Sequence, residues 1–528
     1  MTNTIGDIET ADVILVEGSN TTENHPVIST FIKRAATLKG ATLIVIDARQ
    51  IKLTESADSW LRLTPGTDIA LINGFMHVII EENIYDKKFV ETRTEGFEEL
   101  KKTVKKYTPE YVEKITGVAA EDIVKTARTF AAANRGCIIY CMGITQHTTG
   151  TDNVKSLANL SMLCGDLGIP GGGVNPLRGQ NNVQGACDMG GLPNVFTAYQ
   201  KVDDDDARIK YENAWDITGL SPKPGLGVTE MVQKAGEGEI KALYVIGENP
   251  LVSDPDLNHA EKCFKNLDFL VVQDIFLTET TALADVVLPA FCFAEKNGTF
   301  TNTERRVQRV RKAVEAPGFA RKDWKIICDI ANRMGYPMNY PNANAIFEEI
   351  RLVTPSYAGI TWERIDKEGI HWPCPTEDHP GTPILHTKQF TRGLGHFHAI
   401  DHRDPAEMPD EEYPFVLTTG RLLFQYHTGT MTMKSAGLNF LAPDCFVEIS
   451  INDAERLGIK NGDIVEAVSR RGKIKTKAKI SPKAVDGTLF IPFHFANAAA
   501  NRLTNAKLDP VAKIPEFKVC AINIRKAA

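Results

Sequence analysis

A single arginine among amide side chains is the feature of this sequence best suited to chemistry. Arg178 is the only lysine or arginine between Lys155 and Lys201. Residues 171–191 around it are rich in glycine, asparagine and glutamine, a composition that favours neither helix nor strand. One fixed positive charge would therefore lie among neutral donors and acceptors. We expect an irregular binding loop, and the alternative is an inert surface loop whose glycines only make turns.

Two segments repeat one pattern of strands and polar residues that would position such a loop. In each, an apolar strand runs into Gly-x-Asn, a second strand ends at an aspartate, and Ala-Asp opens a third segment. The residues concerned are Gly18, Asn20, Asp47 and Asp58 in the first copy and Gly247, Asn249, Asp274 and Asp285 in the second. The two aspartates of each copy are 11 residues apart. Strands alternating with helices predict parallel sheets whose strand ends carry ligand-binding loops.

The repeat has a functional and a general interpretation. Two nucleotide-binding halves would suit two nucleotide moieties, whereas Rossmann-like units also resemble one another without sharing a ligand. Neither copy contains G-x-G-x-x-G, which disfavours ordinary NAD binding.

Short apolar strands follow one another closely from about residue 413. We predict strands at residues 415–418, 446–449, 464–468, 474–480 and 488–491 and a helix near 451–457. This spacing is typical of a compact β-barrel. The preceding residues 340–410 are rich in proline, glycine and histidine, and we expect irregular covering segments there.

Two clusters of basic side chains have alternative interpretations. Residues 294–314 contain Arg305, Arg306, Arg309 and Arg311, which could face a phosphate or belong to a solvated basic strand. His396, His398 and His402 lack an acidic or cysteine partner at metal-ligand spacing. We therefore interpret these histidines as loop residues and not as a metal site.

Composition excludes several classes of function. The 528 residues carry a formal net charge of −7, which argues against nucleic acid as a partner. The N-terminus lacks the features of a signal peptide, and no apolar run is long enough to span a bilayer, so we expect a cytoplasmic protein. The ten cysteines include no C-x-x-C pair, which makes an iron–sulfur or zinc site within this chain unexpected. They are interpreted as buried, reduced thiols.

Several motifs together resemble the molybdopterin oxidoreductases of the dimethyl-sulfoxide-reductase superfamily, and within it the catalytic subunits of formate dehydrogenases. These motifs are VNPLRGQNNVQGACDMGGLPN, MGITQ, EKNGTFTNTERR, the repeated Gly-x-Asn units and the C-terminal barrel. The resemblance covers essentially the whole chain. It implies an α/β fold with two Rossmann-like parallel-sheet domains that bind two pterin dinucleotides, followed by a C-terminal β-barrel. We place these domains at residues 1–180, 181–345 and 411–528, with covering segments at 346–410.

The resemblance also implies a cofactor and a set of residues that contact it. The cofactor would be molybdenum or tungsten held by two molybdopterin guanine dinucleotides, and Arg178 would bind formate and stabilise charge on its oxygens. The implied cofactor contacts are Gly18, Asn20, Asp47, Gly66, Asp68, Gly143, Gln146, Gly179, Gln180, Asn182, Gly247, Asn249, Gln273, Asp274, Asn297, Thr299, Asn302, Thr419, Arg421, His427, Thr428, Gly429, Asn501 and Lys518. The usual Asp-Pro-Arg after the second strand is Asp47-Ala48-Arg49 here.

The sequence departs from this family at its beginning. The family's N-terminal region, with the cysteines of a [4Fe–4S] cluster and the cysteine or selenocysteine that ligates the metal, has no counterpart in these residues. We interpret the chain either as one piece of a split subunit or as a reading frame restarted after a selenocysteine codon. Its partners would be that N-terminal part and iron–sulfur electron-transfer subunits, and apolar surface should be exposed where the N-terminal part packs.

Three functions remain open at this stage. The first is oxidation of formate to carbon dioxide, or the reverse reaction. The second is another activity of the superfamily, of the nitrate reductase or formylmethanofuran dehydrogenase type. The third is a catalytically silent scaffold.

Overall fold

The computed structural model describes residues 1–527, which form two units. The first unit comprises residues 1–177, 252–258 and those from 384 to the C-terminal end. The second comprises residues 178–251 and 259–383. The chain therefore passes between the units several times, and each unit is built from separated pieces of sequence.

The first unit contains a five-stranded parallel sheet. Its strands, in spatial order, are Ser59–Leu61, Thr42–Ile46, Val13–Glu17, Gly136–Tyr140 and Gly173–Pro176. Every residue of the central strand Val13–Glu17 is buried, as in parallel sheets with both faces covered. The helices of this part of the chain are Thr21–Asn24, Pro26–Lys39, Asp68–Glu81, Lys87–Arg93, Phe97–Val104, Pro109–Thr116, Ala120–Ala131, Met142–Thr145 and Gly150–Leu163.

A closed six-stranded barrel also belongs to the first unit. Its strands, in spatial order, are Phe415–Gly420, Thr488–Pro492, Phe446–Ile449, Lys473–Ile480, Ile464–Val468 and Cys520–Lys526. Alternate residues of Lys473–Ile480 are buried, as expected when one face of a strand lines a barrel core. Helices Ala436–Leu441 and Ile451–Leu457 and the short parallel pair Thr94–Glu95 and Gly395–His396 complete the regular structure of this unit.

The second unit contains two three-stranded sheets. The parallel sheet has the order Ala242–Ile246, Phe269–Asp274, Val286–Pro289, and the antiparallel sheet has the order Gly298–Thr301, Arg306–Val310, Ile370–His371. Its helices are Val183–Asp188, Asp205–Trp215, Val228–Gly236, Asp323–Arg333 and Ala343–Val353. Two further helices, Pro250–Ser253 and Leu257–Lys265, lie where the chain passes from one unit to the other.

The two copies of the sequence repeat make the same backbone turn after their first strand. Gly18 N donates a hydrogen bond to Ile46 O at 3.1 Å, and Gly247 N donates to Gln273 O at 2.8 Å. Both glycines have positive φ, +56° and +64°. A β-branched or bulky residue would be strained in this conformation, which explains a glycine at both positions.

The aspartate that opens the third segment also has one role in both copies. Leu43 N donates to Asp58 Oδ2 at 2.8 Å, and Leu270 N donates to Asp285 Oδ2 at 2.7 Å. Each carboxylate thereby fixes the start of the neighbouring strand. The repeat and the predicted fold class are confirmed, and this pair of aspartates has a structural role.

One face of the second unit's parallel sheet is exposed. Tyr244, Ile246, Phe269 and Val286 lie on this face and retain between 38% and 45% of their accessible surface. Strands of parallel sheets are normally buried on both faces, so an apolar sheet face of this kind is unusual. The sequence-based expectation, exposed apolar surface where an N-terminal part packs, stays a prediction.

The N-terminus of helix Gly150–Leu163 is completed by residues far away in the sequence. Its own preceding residue, Thr149, makes no capping hydrogen bond through its side chain. Instead, Asp509 accepts from Thr151 N at 2.9 Å and from Thr151 Oγ1 at 2.8 Å. Glu516 accepts from Thr148 N at 3.2 Å in the turn just before the helix. Carboxylates stabilise helix N-termini by satisfying free backbone N–H groups and by interacting with the helix dipole.

Three sequence predictions about secondary structure are wrong. Residues 171–191 are not wholly irregular, because they contain strand Gly173–Pro176 and helix Val183–Asp188. Helix Ala343–Val353 lies where irregular segments were expected, with the Asn342 side chain accepting from Ala345 N as its cap. The barrel has a sixth strand, Cys520–Lys526, which pairs with both Phe415–Gly420 and Ile464–Val468.

The basic cluster of residues 305–311 is held largely by other protein groups. Arg305, 2% exposed, donates to the carbonyl oxygens of Thr382 and Pro383 at 2.9 Å each. Arg309 and Arg311 contact Asp366, with N–O distances of 3.4 and 3.0 Å. These protein contacts disfavour a phosphate-facing role for the three arginines, and the burial of Arg305 also departs from the solvated basic strand that was the alternative. Within residues 1–527, no helix is both long and apolar enough to cross a membrane, and all ten cysteines are free thiols.

Candidate active site

The segment that carries Arg178 is fixed to an antiparallel hairpin of the second unit. Arg178 N donates to Thr303 Oγ1 at 3.0 Å, and Thr301 N donates to the side-chain oxygen of Asn182 at 2.9 Å. The hairpin strands are Gly298–Thr301 and Arg306–Val310. The predicted loop is therefore tied at two points to regular structure, which limits the motion of the arginine backbone.

The Arg178 side chain is held by an amide that is itself held by a carboxylate. Arg178 Nε lies 3.3 Å from Gln184 Oε1, and Gln184 Nε2 donates to Asp188 Oδ1 at 2.8 Å. Gln184 and Asp188 are one turn apart on helix Val183–Asp188 and are both buried. The three side chains form a chain of hydrogen bonds from the interior to the guanidinium.

Asp188 accepts hydrogen bonds from four side chains. Besides Gln184, Tyr199 donates to Oδ1 at 3.1 Å, while the Tyr357 hydroxyl and Trp372 Nε1 donate to Oδ2 at 2.6 and 2.7 Å. Burial raises the pKa of Asp188, and the four donors oppose that rise because they stabilise the ionised form. Four donors match the acceptor capacity of an ionised carboxylate.

Carboxyl groups gather at the carboxyl edge of the first unit's sheet. Burial raises the pKa of Glu17, Asp47 and Asp68, and for Asp68 the value is about 7. The charges of neighbouring acids add to this effect, Asp68 on Glu17 and Asp47 on Asp68. Asp47 also closes a local turn, since its Oδ1 accepts from Arg49 N at 2.9 Å. The segment Asp47-Ala48-Arg49 therefore still forms a turn closed by the aspartate side chain, although Ala48 stands where proline was expected.

Several buried polar atoms after strand Val13–Glu17 have no hydrogen-bond partner within residues 1–527. They are both carboxyl oxygens of Glu17, Ser19 Oγ, the side-chain oxygen of Asn20 and Thr21 Oγ1. Glu17, Ser19 and Thr21 are at most 2% exposed. Unpaired buried polar groups are costly, so a cluster of them next to a predicted binding loop favours a polar ligand as their partner.

The two glycines that follow the first strand of each repeat have different surroundings. Gly18 lies against Gly143, whose N–H donates to Gly18 O at 3.0 Å. A Cβ on Gly18 would lie 2.8 Å from the Gly143 carbonyl carbon. A Cβ on Gly247 would meet no atom of residues 1–527 within 4 Å. Another glycine of the protein therefore packs against Gly18, whereas Gly247 borders open space.

Two cations of the barrel lie near the first unit's sheet edge. Burial lowers the pKa of Arg421, and burial lowers the pKa of Lys518 to about 8. Lys518 interacts electrostatically with Cys141 and Asp47, which places it at the ends of the sheet strands. Its Nζ donates to Thr419 O at 2.6 Å. Neither cation has a carboxylate within ion-pair distance among residues 1–527, so both can serve an anionic ligand.

A pair of histidines shapes the barrel turn at residues 427–429. His494 Nε2 accepts from Leu422 N at 2.8 Å, and His494 Nδ1 donates to His427 O. This arrangement requires the neutral tautomer with a proton on Nδ1. Burial lowers the pKa of both His427 and His494 to about 4. This turn holds His427 and Gly429 at positive φ, +49° and +73°.

In the second unit, two predicted cofactor residues use their side chains inside the protein. Asn249 donates to Glu279 at 2.8 Å and accepts from Thr280 Oγ1 at 2.7 Å. Gln273 is fully buried, donates to Asp323 at 2.9 Å and accepts from the Tyr244 hydroxyl. These contacts fix the loops after the strands.

Asp274 and the hairpin residues also have internal contacts. Asp274 accepts from Ile275 N at 2.6 Å, and burial raises its pKa. Asn302 accepts from Arg306 N at 3.0 Å, and Asn297 accepts from Lys312 N at 3.0 Å. The remaining predicted residues lie in these elements or turns: Thr299 in the hairpin, Gly179 and Gln180 beside Arg178, Gly66 in the turn before helix Asp68–Glu81, Gln146 after helix Met142–Thr145, and Thr428 and Asn501 in the barrel.

Sequence reasoning missed the residues that support the arginine indirectly, through Gln184. Asp188, Tyr199, Tyr357 and Trp372 were not selected as site residues, and neither was Glu17. Asp188 is the only acidic residue of residues 171–191, which was a usable signal. The aromatic residues, by contrast, are brought to Asp188 only by tertiary structure.

Comparison with protein families identifies most of the chain. Residues 1–333 match the family described as Molybdopterin oxidoreductase, and residues 415–521 match the Molydopterin dinucleotide binding domain. The chain is 55% identical over 530 residues to the F420-dependent formate dehydrogenase subunit alpha of Methanocaldococcus jannaschii, covering 100% of this chain and 78% of that protein. It is 42% identical over 534 residues to Formate dehydrogenase H of Escherichia coli, covering 100% of this chain and 74% of that protein.

A solved structure agrees on the fold. Acetylene Hydratase from Pelobacter acetylenicus superposes with a TM-score of 0.78 at 22% sequence identity, covering 99% of this chain and 79% of that one. The family match spans both parallel sheets, and the second match spans most of the barrel. The chain belongs to the molybdopterin oxidoreductase family.

Proposed function

We propose that this chain is the substrate-binding part of a formate dehydrogenase catalytic subunit, which oxidises formate to carbon dioxide or catalyses the reverse reaction. The observation that carries the proposal is the held guanidinium of Arg178, anchored through Gln184 to buried Asp188. A planar guanidinium matches the two oxygens of a carboxylate. The names and identities of the relatives support formate as that carboxylate.

The residues of the first unit fit an anionic dinucleotide. Arg421 and Lys518 offer positive charge to a diphosphate, while Ser19, Asn20 and Thr21 offer buried polar atoms that have no partner among residues 1–527. We propose that one molybdopterin guanine dinucleotide is held here, by residues 1–180 and the barrel of residues 411–528. The open space beside Gly247 favours a second dinucleotide at residues 181–345, with segments 346–410 as a cover.

The proposed cofactor contacts are those predicted from the sequence. When bound, the cofactor supplies a molybdenum or tungsten centre that takes up the two electrons of formate oxidation. Arg178 binds the formate oxygens and stabilises their charge while the C–H bond breaks and a proton and carbon dioxide are released. Gly179, Gln180 and Asn182 hold the backbone that carries this arginine next to the pterin.

The remaining parts of the enzyme are proposed to lie outside this sequence. These are a cysteine or selenocysteine that ligates the metal, a [4Fe–4S] cluster, and iron–sulfur subunits that accept the electrons. The relatives are longer than this chain, which spans 78% and 74% of the two compared above. The cytoplasmic location predicted from the sequence stays a prediction.

The test compares the chain produced alone with the chain produced together with the segment encoded upstream of it. Molybdenum, tungsten and pterin contents are measured, followed by formate-dependent reduction of a viologen dye, which does not depend on the physiological acceptor. We expect formate oxidation only when the upstream segment is present. Arg178→Lys should then lower kcat/KM by about 100-fold or more, because a point charge cannot reproduce the planar fork.

Two other results would replace the proposal. Pterin-loaded protein that reduces nitrate but does not oxidise formate would support the nitrate reductase type. Protein that holds no pterin in either preparation would support a silent scaffold. An exposed arginine of the barrel, Arg525, provides the control, because Arg525→Lys should leave viologen reduction unchanged.

A further inference from the structure

The amide of Gln184 can face Arg178 in two ways, and only one is favourable. Its oxygen lies 3.3 Å from Arg178 Nε, so the amide accepts from the guanidinium. If the amide were rotated by half a turn, its NH₂ group would face the cation with two donors opposed. The orientation of this amide therefore decides whether its contact with Arg178 Nε is attractive or repulsive.

The orientation of Gln184 is determined by its other neighbours. Gln184 Nε2 donates to Asp188 Oδ1 at 2.8 Å and lies 2.9 Å from the Tyr199 hydroxyl, which itself donates to Asp188. An ionised carboxylate accepts hydrogen bonds and cannot donate them. The Gln184 amide must therefore turn its NH₂ group toward Asp188. The amide oxygen is then left for the arginine.

From this geometry we propose that Asp188 is a positioning residue for formate binding, which acts through the Gln184 amide to aim the Arg178 guanidinium at the substrate. The inference rests on the proposed function, since it concerns the same arginine. Asp188 itself is 1% exposed, so we assign it a role through Gln184 and not direct contact with the substrate. Its second oxygen is occupied by Tyr357 and Trp372, which fix the carboxylate from the opposite side.

The main test uses Asp188→Asn in the holoenzyme. Asparagine has nearly the same shape as aspartate, but its NH₂ group would face hydrogen-bond donors that need an acceptor. We expect KM for formate to rise about tenfold with a smaller change in kcat, because loss of a buried charged partner misaligns the arginine. Gln184→Met, which removes the bridging amide and keeps Asp188, should raise KM to a similar extent.

The double variant separates positioning from general stability. If Asp188 acts through Gln184, the double variant Asp188→Asn with Gln184→Met should have the KM of either single variant, since both changes break one path. Tyr340→Phe is the matched control, because it removes a tyrosine hydroxyl that donates to another carboxylate, Glu349, outside the chain of hydrogen bonds that ends at Arg178. It should lower Tm and leave KM unchanged.

A binding measurement makes the outcome independent of turnover. Calorimetric titration of the oxidised holoenzyme with nitrate, a planar monoanion, should give a Kd about tenfold higher for Asp188→Asn than for wild type. Unchanged KM and nitrate Kd in both Asp188→Asn and Gln184→Met would overturn the inference. Additive effects in the double variant would do so as well.

The proposed function can fail separately. If wild-type holoenzyme with its pterin does not oxidise formate, the proposed function is wrong. The nitrate titration still measures whether Asp188 controls anion binding at Arg178. Loss of folding in Asp188→Asn would leave Gln184→Met and its nitrate Kd as the deciding measurement.

Discussion

Gly18 and Gly143 lie with their backbones in contact, and neither has room for a side chain. A Cβ added to Gly143 would come within 2.5 Å of Gly18 Cα and of its carbonyl oxygen. Both sides of this contact are main chain, which cannot move aside as a flexible side chain does. The contact joins the ends of two adjacent strands at the edge where the predicted cofactor residues lie.

Gly143→Ala should therefore destabilise the chain. Overpacking against rigid backbone costs about 1–3 kcal/mol, so we expect a lower Tm and a lower yield of folded protein. Gly437→Ala is the matched control, because Gly437 lies in helix Ala436–Leu441 and a Cβ there meets nothing within 4 Å in the described residues. A Gly143→Ala protein as stable as Gly437→Ala would contradict the close contact.

The raised pKa of Asp68 predicts a pH dependence of stability. In the unfolded chain the carboxyl ionises near 3.8, whereas burial holds its folded pKa at about 7. As pH rises between these values, the unfolded state loses a proton that the folded state retains, so the free energy of unfolding falls. Above pH 7 the free energy of unfolding is lowered by the full amount. This amount is on the order of 4 kcal/mol at most.

Asp68→Asn should remove this loss in the cofactor-free chain. The variant is expected to be more stable than wild type at pH 8 and close to wild type near pH 4, as measured by urea unfolding at several pH values. Asp122→Asn, at an exposed site in the first turn of helix Ala120–Ala131, serves as the control. A stability difference between Asp68→Asn and wild type that does not vary with pH would refute the assignment.

Lys518 is predicted to have opposite effects on stability and on cofactor content. Burial lowers its pKa to about 8, so its charge destabilises the folded, cofactor-free chain below pH 8. Lys518→Met should raise Tm at pH 7, and the gain should shrink as pH rises from 8 towards 10.5. The same variant should contain less pterin, because a cation proposed to face the diphosphate is lost.

An exposed lysine of the barrel provides the comparison for this variant. Lys475 lies on strand Lys473–Ile480 with its side chain exposed, and Lys475→Met should change neither Tm nor pterin content appreciably. Pterin is quantified after release from equal amounts of folded protein. Full pterin content in Lys518→Met would exclude this lysine from the cofactor site.

The uncovered face of the second unit's parallel sheet predicts dye binding. The chain produced alone should bind a fluorescent hydrophobic dye, and Ile246→Lys should reduce the signal because Ile246, 45% exposed, belongs to that face. Leu38→Lys, at an exposed site on helix Pro26–Lys39, should leave the signal unchanged. Equal dye signals from Ile246→Lys and wild type would show that the dye binds elsewhere.

The elements that the sequence predicted well are those with strong local signals. Strands Phe446–Ile449 and Ile464–Val468 and helix Ile451–Leu457 were predicted with their observed bounds. The parallel strands of the repeat end next to the glycines and aspartates that the sequence pattern placed after them. These elements are apolar runs bounded by glycine or aspartate, so the local sequence alone indicates where each begins and ends.

The elements that the sequence missed depend on distant partners. Strand Gly173–Pro176 has a poor composition for a strand, yet it pairs with Gly136–Tyr140, and the φ of Gly173, +93°, suits the close approach of Thr2 and Asn3. Asp188 likewise gains its role from Tyr357 and Trp372, far along the chain. The sequence singles out Arg178 as a candidate, whereas the side chains that support it are brought together only by the fold.

The long-range cap on helix Gly150–Leu163 has a consequence for biosynthesis. The helix and the sheet beside it leave the ribosome well before Asp509 and Glu516 have been translated. Until then, the N-terminus of this helix lacks the carboxylates that satisfy it, and Lys518 is absent as well. The proposed ligand-facing edge of the first sheet is therefore completed only after residues 509–518 have been synthesised, and we expect insertion of the proposed cofactor to follow.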